Sequence, residues 1–256
     1  MTTEYGDREV ARQGEILRAT VGSGVHGIAI AGTDDHDEMG VYVEPPEHAL
    51  SLAPVQPHYV WRTQPEGARS GPGDVDLVSY SLRKYLRLAL KGNPTALLPL
   101  YAPEADLLHV APLGEELRAM RAAFLSRQAA HRFLGFMRSQ RDRMVAGRDV
   151  PNRPELVARY GYDVKYASHA LRLAVQGLEV TRRATLTLPM PDDERELVLS
   201  VKRGEHEQGW VLERIDATAA RVEELLATGR TPLPEYADVD RVQAWCTGAY
   251  RRAWRW

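Results

Sequence analysis

Two aspartates, Asp35 and Asp37, stand two residues apart and carry the chemistry that this sequence suggests. Alternate side chains of an extended strand point to the same face, so both carboxylates would project to one side. Two like charges held that close repel each other unless a cation lies between them. Mg²⁺ or Mn²⁺, hard ions that prefer oxygen ligands, suit that position. The pair therefore predicts a metal site.

A glycine-serine turn precedes the pair of aspartates. Gly22 tolerates a positive φ and lets the backbone pass close to a ligand. Ser23 adds a hydroxyl group, and the neighbouring backbone N–H groups can cradle a phosphate. The flanking segments 16–21 and 39–43 are apolar, rich in β-branched residues and of strand length. The local layout is predicted to be strand, turn, acidic loop and strand.

Other ligand-binding loops do not match this stretch. A calcium loop of the EF-hand type needs an oxygen ligand where Met39 stands and a glutamate where Pro46 stands. A P-loop needs Lys-Ser/Thr after the glycines, which is missing here. The segment 22–27 does match G-x-G-x-x-G, but an acidic loop follows instead of a helix, which disfavours a dinucleotide site.

Three motifs in this chain resemble those of the DNA polymerase β-type nucleotidyltransferase superfamily. The resemblance is closer to a branch of predicted nucleotidyltransferases, some of them linked to RNA repair. The matching segments are Gly22-Ser23…His26-Gly27, Asp35-His36-Asp37…Gly40-Val41, and Tyr85-Leu86-Arg87-Leu88-Ala89-Leu90-Lys91-Gly92-Asn93-Pro94. Their order and spacing follow the pattern of that branch, so the resemblance rests on more than one short motif.

The resemblance implies roles for these residues. Gly22 and Ser23 would hold the β- and γ-phosphates of a nucleoside triphosphate, and Asp35 and Asp37 would bind the metal ion on that triphosphate. Asp34 stands where the branch has a serine. Asp34 and Asp35 therefore both remain candidates for the first ligand, although the spacing to Gly40 favours Asp35.

A third carboxylate is expected on a strand beside the first pair, as in polymerase β-type enzymes. The segment 74–80 alternates polar and apolar residues and runs into a helical pattern over 81–90. Asp76 matches the branch better, and Asp74 is the alternative. Between the first pair and this strand, residues 64–73 are rich in Pro, Gly and Ser and are predicted to form a loop.

The second half of the chain shows helical periodicity, including one long helix predicted over 155–178. Lys165, His169 and Arg172 share a face of that helix by the i, i+4, i+7 rule. The related branch has a similar K-x-x-x-H-x-x-R-L pattern, which implies that these residues bind the nucleotide. For His169 the alternative is a hydrogen-bonded histidine of the core.

Composition and charge limit the class of protein. The 256 residues are 44% hydrophobic and 27% charged, and the formal net charge of −2 does not indicate bulk nucleic-acid binding. The single cysteine, Cys246, excludes an internal disulfide and a cysteine-based zinc site. The polar start of the chain is no signal peptide, and no apolar run is long enough to span a membrane. A cytoplasmic protein without a membrane partner is expected.

Together, these patterns predict an α+β protein. Residues 1–103 would form a nucleotidyltransferase catalytic domain with a small mixed β-sheet and flanking helices, and residues 104–256 an α-helical domain. The implied activity is Mg²⁺-dependent transfer of a nucleoside monophosphate from an NTP, such as ATP, to an acceptor hydroxyl, with RNA as the expected acceptor. The alternatives are a nucleotide or nucleic-acid binding protein without catalysis and an enzyme that nucleotidylates a protein acceptor.

Overall fold

The structure is a computed structural model that describes residues 2–32, 35–146 and 153–256. Six strands of the described residues form one sheet: β1 (Thr3–Tyr5), β2 (Glu15–Thr20), β3 (His36–Tyr42), β4 (His58–Arg62), β5 (Val75–Ser81) and β6 (Leu107–Val110). Their order across the sheet is β1-β4-β5-β3-β2-β6. Because β3 and β5 run parallel while the other neighbours run antiparallel, the sheet is mixed.

Helices flank the sheet and make up most of the later part of the chain. They are α1 (Arg8–Gln13), α2 (Gly22–Val25), α3 (Pro46–Ala49), α4 (Leu82–Leu90), α5 (Pro94–Tyr101), α6 (Pro112–Ala119), α7 (Arg127–Ala146), α8 (Pro154–Tyr160), α9 (Val164–Arg183), α10 (Asp192–Lys202), α11 (Gln208–Ala227) and α12 (Val239–Trp254). The predicted class, a small mixed sheet with flanking helices followed by a helical region, is confirmed. Among the described helices, none is long and apolar enough to cross a membrane.

Two compact units divide the chain. The sheet unit comprises Met1–Leu90, Thr95–Phe124 and Asp238–Trp256, and the helical unit comprises Lys91–Pro94 and Leu125–Ala237. Helix α12 thus packs within the sheet unit, where Trp245 Nε1 donates a hydrogen bond to Glu116 (2.8 Å) and Trp254 Nε1 donates one to the Glu44 carbonyl (2.9 Å). The domain boundary at residue 103 stays a prediction, since packing alone does not decide which part folds by itself.

The two faces of the sheet are packed differently. Leu17, Ala19 and Val41 are fully buried and lie on the same face, because Leu17 pairs with Val41 across β2 and β3. On the other face, α1 packs against a cluster that contains Ala11, Tyr42 and Tyr59. Since side chains alternate along β3, Asp37 projects to the face of Val41. The predicted metal ligands therefore lie at one end of the core face.

Strand β6 lies in the stretch after residue 103, for which the sequence shows helical periodicity only. It pairs with the edge of β2, where Leu17 is opposite Val110 and Arg18 is opposite His109. β6 has four residues, which are too few to display an alternating pattern. It is a strand because it pairs with β2, and its own sequence does not predict it.

The prediction of one long helix over 155–178 is wrong. Two helices, α8 and α9, occupy this stretch and the residues after it. Gly161 ends α8 in the left-handed conformation (φ +81°), and its N–H donates to the Val157 carbonyl. Asp163 then caps α9 by accepting hydrogen bonds from the backbone N–H groups of Lys165 (3.0 Å) and Tyr166 (3.1 Å). Gly161 and Asp163 are residue types that end and begin helices. The apolar periodicity continues on both sides of them, however, and therefore suggests a single helix.

Candidate active site

The parallel pairing of β3 and β5 brings three predicted carboxylates together. Asp37 and Asp76 are partners in the register of these strands, so their side chains project side by side. Asp35 lies two residues before Asp37, immediately ahead of β3. One carboxylate oxygen from each of the three aspartates lies within 4.8 Å of the others. Asp35, Asp37 and Asp76 are called the acidic triad below. The other candidate for the first position, Asp34, lies outside the described residues.

The charges of the acidic triad make it a candidate cation site. At the 4.8 Å limit of their separation, two carboxylates repel by about 3 kcal/mol at an effective dielectric constant of about 20. All three side chains are half-buried, so solvent screens this repulsion only in part. A divalent cation with oxygen ligands would offset it.

The structure separates Asp76 from Asp74, the two candidates for the third carboxylate. Asp74 accepts hydrogen bonds from the Gly71 N–H (2.9 Å) and from Thr63 Oγ1 (2.8 Å), outside the triad. These two bonds, the Gly71 bond first, lower the pKa of Asp74, because they favour its charged form. Asp74 thus hydrogen-bonds the start of β5 to the loop before it, whereas Asp76 belongs to the triad.

Two residues that the sequence analysis missed hold Asp76 in place. Gln64 Nε2 donates to Asp76 Oδ1 (2.7 Å), and Ser70 Oγ donates to Asp76 Oδ2 (2.6 Å). Both belong to the loop predicted over 64–73, and Gln64 is only 6% exposed. Arg62 adds a longer contact of 3.7 Å from its Nε to Asp76 Oδ1. Loop composition carries no signal for such contacts, because they depend on where the loop folds back onto β5.

The glycine-serine turn lies directly against the acidic triad. Gly22 has a positive φ of +65°, and a Cβ atom built there would lie 2.0 Å from Asp37 Oδ2. The Val21 N–H donates to the Asp37 carbonyl (2.8 Å), which fixes the turn to β3. Gly22 is therefore needed both for the backbone conformation and for the close approach to Asp37. Ser23, the next residue, is half-exposed at the same turn.

Gly22→Ala is expected to disturb both the turn and Asp37. The left-handed conformation costs a non-glycine residue about 1–2 kcal/mol of stability, and the new methyl group must displace the Asp37 carboxylate. Urea unfolding should show that loss of stability, and divalent-ion binding by calorimetry should weaken. Gly24→Ala is the matched control, because a Cβ there meets only the Thr20 side chain at 3.3 Å. Equal effects of the two substitutions would contradict the assigned contact.

The predicted basic residues of the second half share one face of α9 in the helical unit. Burial and the neighbouring cations Arg172, Lys165, Lys202 and Arg153 lower the pKa of His169 to about 3, so its imidazole is neutral at pH 7. Burial lowers the pKa of Arg172 to about 10, and its Nη1 donates to Gln176 Oε1 (3.0 Å). Lys165, His169 and Arg172 are thus brought together, in a group that concentrates positive charge.

A mixed sheet with three clustered carboxylates on and beside two parallel strands is the arrangement expected of the polymerase β-type nucleotidyltransferase class. The model of the RNA repair pathway DNA polymerase beta family (RlaP) matches residues 9–245, and the chain belongs to this family. The resemblance drawn from the three motifs is confirmed.

More distant comparisons add little. No curated protein matches the sequence. A solved structure, a nucleotidyltransferase-like protein from Exiguobacterium sibiricum 255-15, shares 14% sequence identity with a TM-score of 0.30, over 86% of this chain and 71% of that one. At that distance the likeness does not bear on function.

Proposed function

We propose that this protein is a divalent-metal-dependent nucleotidyltransferase that transfers a nucleoside monophosphate from an NTP to a hydroxyl group of RNA. The observation that carries the proposal is the acidic triad, in a chain of the RNA repair pathway DNA polymerase beta family. Clustered carboxylates serve such a reaction because they hold cations against the triphosphate.

The residues of the triad suit Mg²⁺ or Mn²⁺. Asp35, Asp37 and Asp76 offer only carboxylate oxygens, the ligands that these ions prefer, from within 4.8 Å of one another. When bound, such ions lower the pKa of an attacking hydroxyl and offset charge on the transferred phosphoryl group. Gln64 and Ser70 orient the Asp76 carboxylate through their hydrogen bonds and so keep it directed toward the other two.

The remaining predicted residues are assigned to the nucleotide. Gly22 and Ser23 would hold the β- and γ-phosphates by backbone N–H groups and the serine hydroxyl. Lys165 and Arg172 would offset the remaining triphosphate charge. His169, which is neutral at pH 7, would contribute a hydrogen bond and no charge.

The acidic triad also argues against a binding protein without catalysis. Three carboxylates repel phosphate unless cations lie between, and a binder gains nothing from them. The choice of acceptor is made outside the metal site, so a protein acceptor is tested alongside RNA.

The decisive experiment is incubation of the purified protein with each NTP, Mg²⁺ or Mn²⁺, and either RNA or protein acceptors, followed by mass spectrometry. We expect RNA to gain the mass of one or more nucleotides, and EDTA to abolish this product. A nucleotide found only on protein would assign the alternative acceptor, and the absence of any product would leave a binding protein.

Lys165→Met should weaken NTP binding about ten- to hundred-fold, because a charge-assisted contact contributes roughly 1.5–3 kcal/mol. Methionine keeps the apolar stem and the helix propensity, so the substitution tests the charge alone. Calorimetric titration with a non-hydrolysable NTP and with NMP shows whether the lost contact is to the β- and γ-phosphates, because only the NTP carries them. If both ligands lose affinity equally, Lys165 does not contact the β- or γ-phosphate.

A further inference from the structure

A cleft of about 200 Å³ lies in the helical unit between α9, α10 and α11. Part of its lining is apolar, from Leu178, Met190 and Leu197. The rest is dominated by guanidinium groups, those of Arg182, Arg183 and Arg214. This cleft is separate from the acidic triad and from Lys165, His169 and Arg172.

The arginines of the cleft differ from two arginines of the neighbouring helix α7. There, Arg141 forms a two-bond ion pair with Asp216 (2.7 and 2.8 Å), and Arg138 is paired with Glu223. Within residues 2–32, 35–146 and 153–256, Arg182, Arg183 and Arg214 form neither an ion pair nor a side-chain hydrogen bond, and all three are exposed.

The acids of the cleft do not cancel this charge. Glu179 is engaged with Thr187, whose backbone N–H donates to Glu179 Oε2 (3.0 Å) and whose hydroxyl donates to Oε1. Glu194 also lines the cleft and remains as a hydrogen-bond acceptor for a hydroxyl or amino group. Three cations against two carboxylates leave a net charge of +1 on the side chains that line the cleft, which attracts an anionic ligand.

The size of the cleft limits what enters it. Pockets for whole small-molecule ligands span about 300–1,000 Å³, so a cleft of about 200 Å³ suits part of a longer ligand, such as one residue of a polymer that lies partly outside it. An apolar wall beside guanidinium groups suits a base together with its phosphate. Bases are free to enter such a site in single strands but not in a stacked duplex.

We propose that the cleft binds one nucleotide of a single-stranded RNA acceptor. The role of that RNA as acceptor rests on the proposed function, but binding in the cleft does not. The arginines contact phosphate, the apolar wall contacts the base, and Glu194 accepts a hydrogen bond from the ribose or the base.

The test is fluorescence anisotropy of the full chain with an unstructured, end-labelled oligoribonucleotide, without NTP and over a range of salt concentrations. Arg183→Gln and Arg214→Gln should each weaken binding about tenfold and lower the salt slope by about 0.7. Arg132→Gln, at an exposed and unpaired arginine of α7 within the described residues, is the matched control and should change neither.

The possible results separate this proposal from the proposed function. If wild type transfers nucleotides to RNA but Arg183→Gln binds RNA as tightly as wild type, RNA binding in the cleft is contradicted and the proposed function stands. If no transfer occurs but the cleft substitutions weaken RNA binding selectively, RNA binding in the cleft is supported and the proposed function is contradicted. An equal loss of RNA affinity in Arg132→Gln, or binding of an acidic peptide in place of RNA, contradicts the proposal that the cleft binds RNA.

Discussion

Asp37→Asn is expected to lower nucleotidyl transfer by at least about 10³-fold while the fold remains intact. Asp37 lies at the centre of the acidic triad, since Asp76 is its partner in register, Asp35 precedes it by two residues, and Gly22 lies against its carboxylate. Asparagine keeps the shape that packs on Gly22 and removes the negative charge. Stability without metal should be equal or higher, because one repelling charge is gone.

Two measurements check the Asp37 prediction. Incorporation of labelled NMP reports transfer, and thermal unfolding with and without Mg²⁺ or Mn²⁺ reports metal binding, because an ion that binds the native state raises the Tm. That rise should occur in wild type and be largely lost in Asp37→Asn. Glu38→Gln is the matched control, since Glu38 projects to the opposite face of β3, where it pairs with Arg18 (2.9 Å). Wild-type turnover in Asp37→Asn with Mg²⁺ would remove the metal assignment.

Asp76→Asn should also reduce turnover by several orders of magnitude, but with little change in NTP affinity. Asp35 and Asp37 would remain to hold an ion on the triphosphate, whereas an ion that activates the attacking hydroxyl would lose its Asp76 ligand. Asp74→Asn should affect turnover far less. Its hydrogen bonds go to Thr63 and Gly71, so its loss loosens the start of β5 instead.

Kinetics and unfolding together separate the two carboxylates. Single-turnover rates and NTP affinities distinguish chemistry from binding, and urea unfolding reports the effect of Asp74→Asn on stability. Because hydrogen bonds lower the pKa of Asp74 in the folded state, its contribution to stability is present above its ordinary pKa and is lost as the pH falls through the folded-state pKa. If Asp74→Asn is the more damaging to turnover, the third ligand has been assigned to the wrong residue.

Local sequence accounts for much of the sheet unit. The alternation around Asp35 and Asp37, the β-branched flanks and Gly22 predict strand, turn and strand, and β2, α2 and β3 follow that order. These elements are local, because each depends on side-chain period and on backbone freedom within a few residues.

Features that depend on distant partners were harder to predict. The choice of Asp76 over Asp74 needs the register of β5 against β3, because the two residues are two apart and a shift of two residues would bring Asp74 opposite Asp37 instead. The contacts of Gln64 and Ser70 with Asp76 need the path of the loop between β4 and β5. Neither is encoded in a window of neighbouring residues.

By itself, the sequence determined the family, the turn at Gly22, and the spacing that puts Lys165, His169 and Arg172 on one helical face, and it left Asp34 and Asp35 as candidates to pair with Asp37. Only the tertiary structure decided which third carboxylate completes the acidic triad, and which arginines of the helical unit have no acidic partner among the described residues. Helical and strand periods are properties of consecutive residues, and the chain itself enforces them. Strand register and ion pairing join residues tens of positions apart, so they are settled only when those segments pack together.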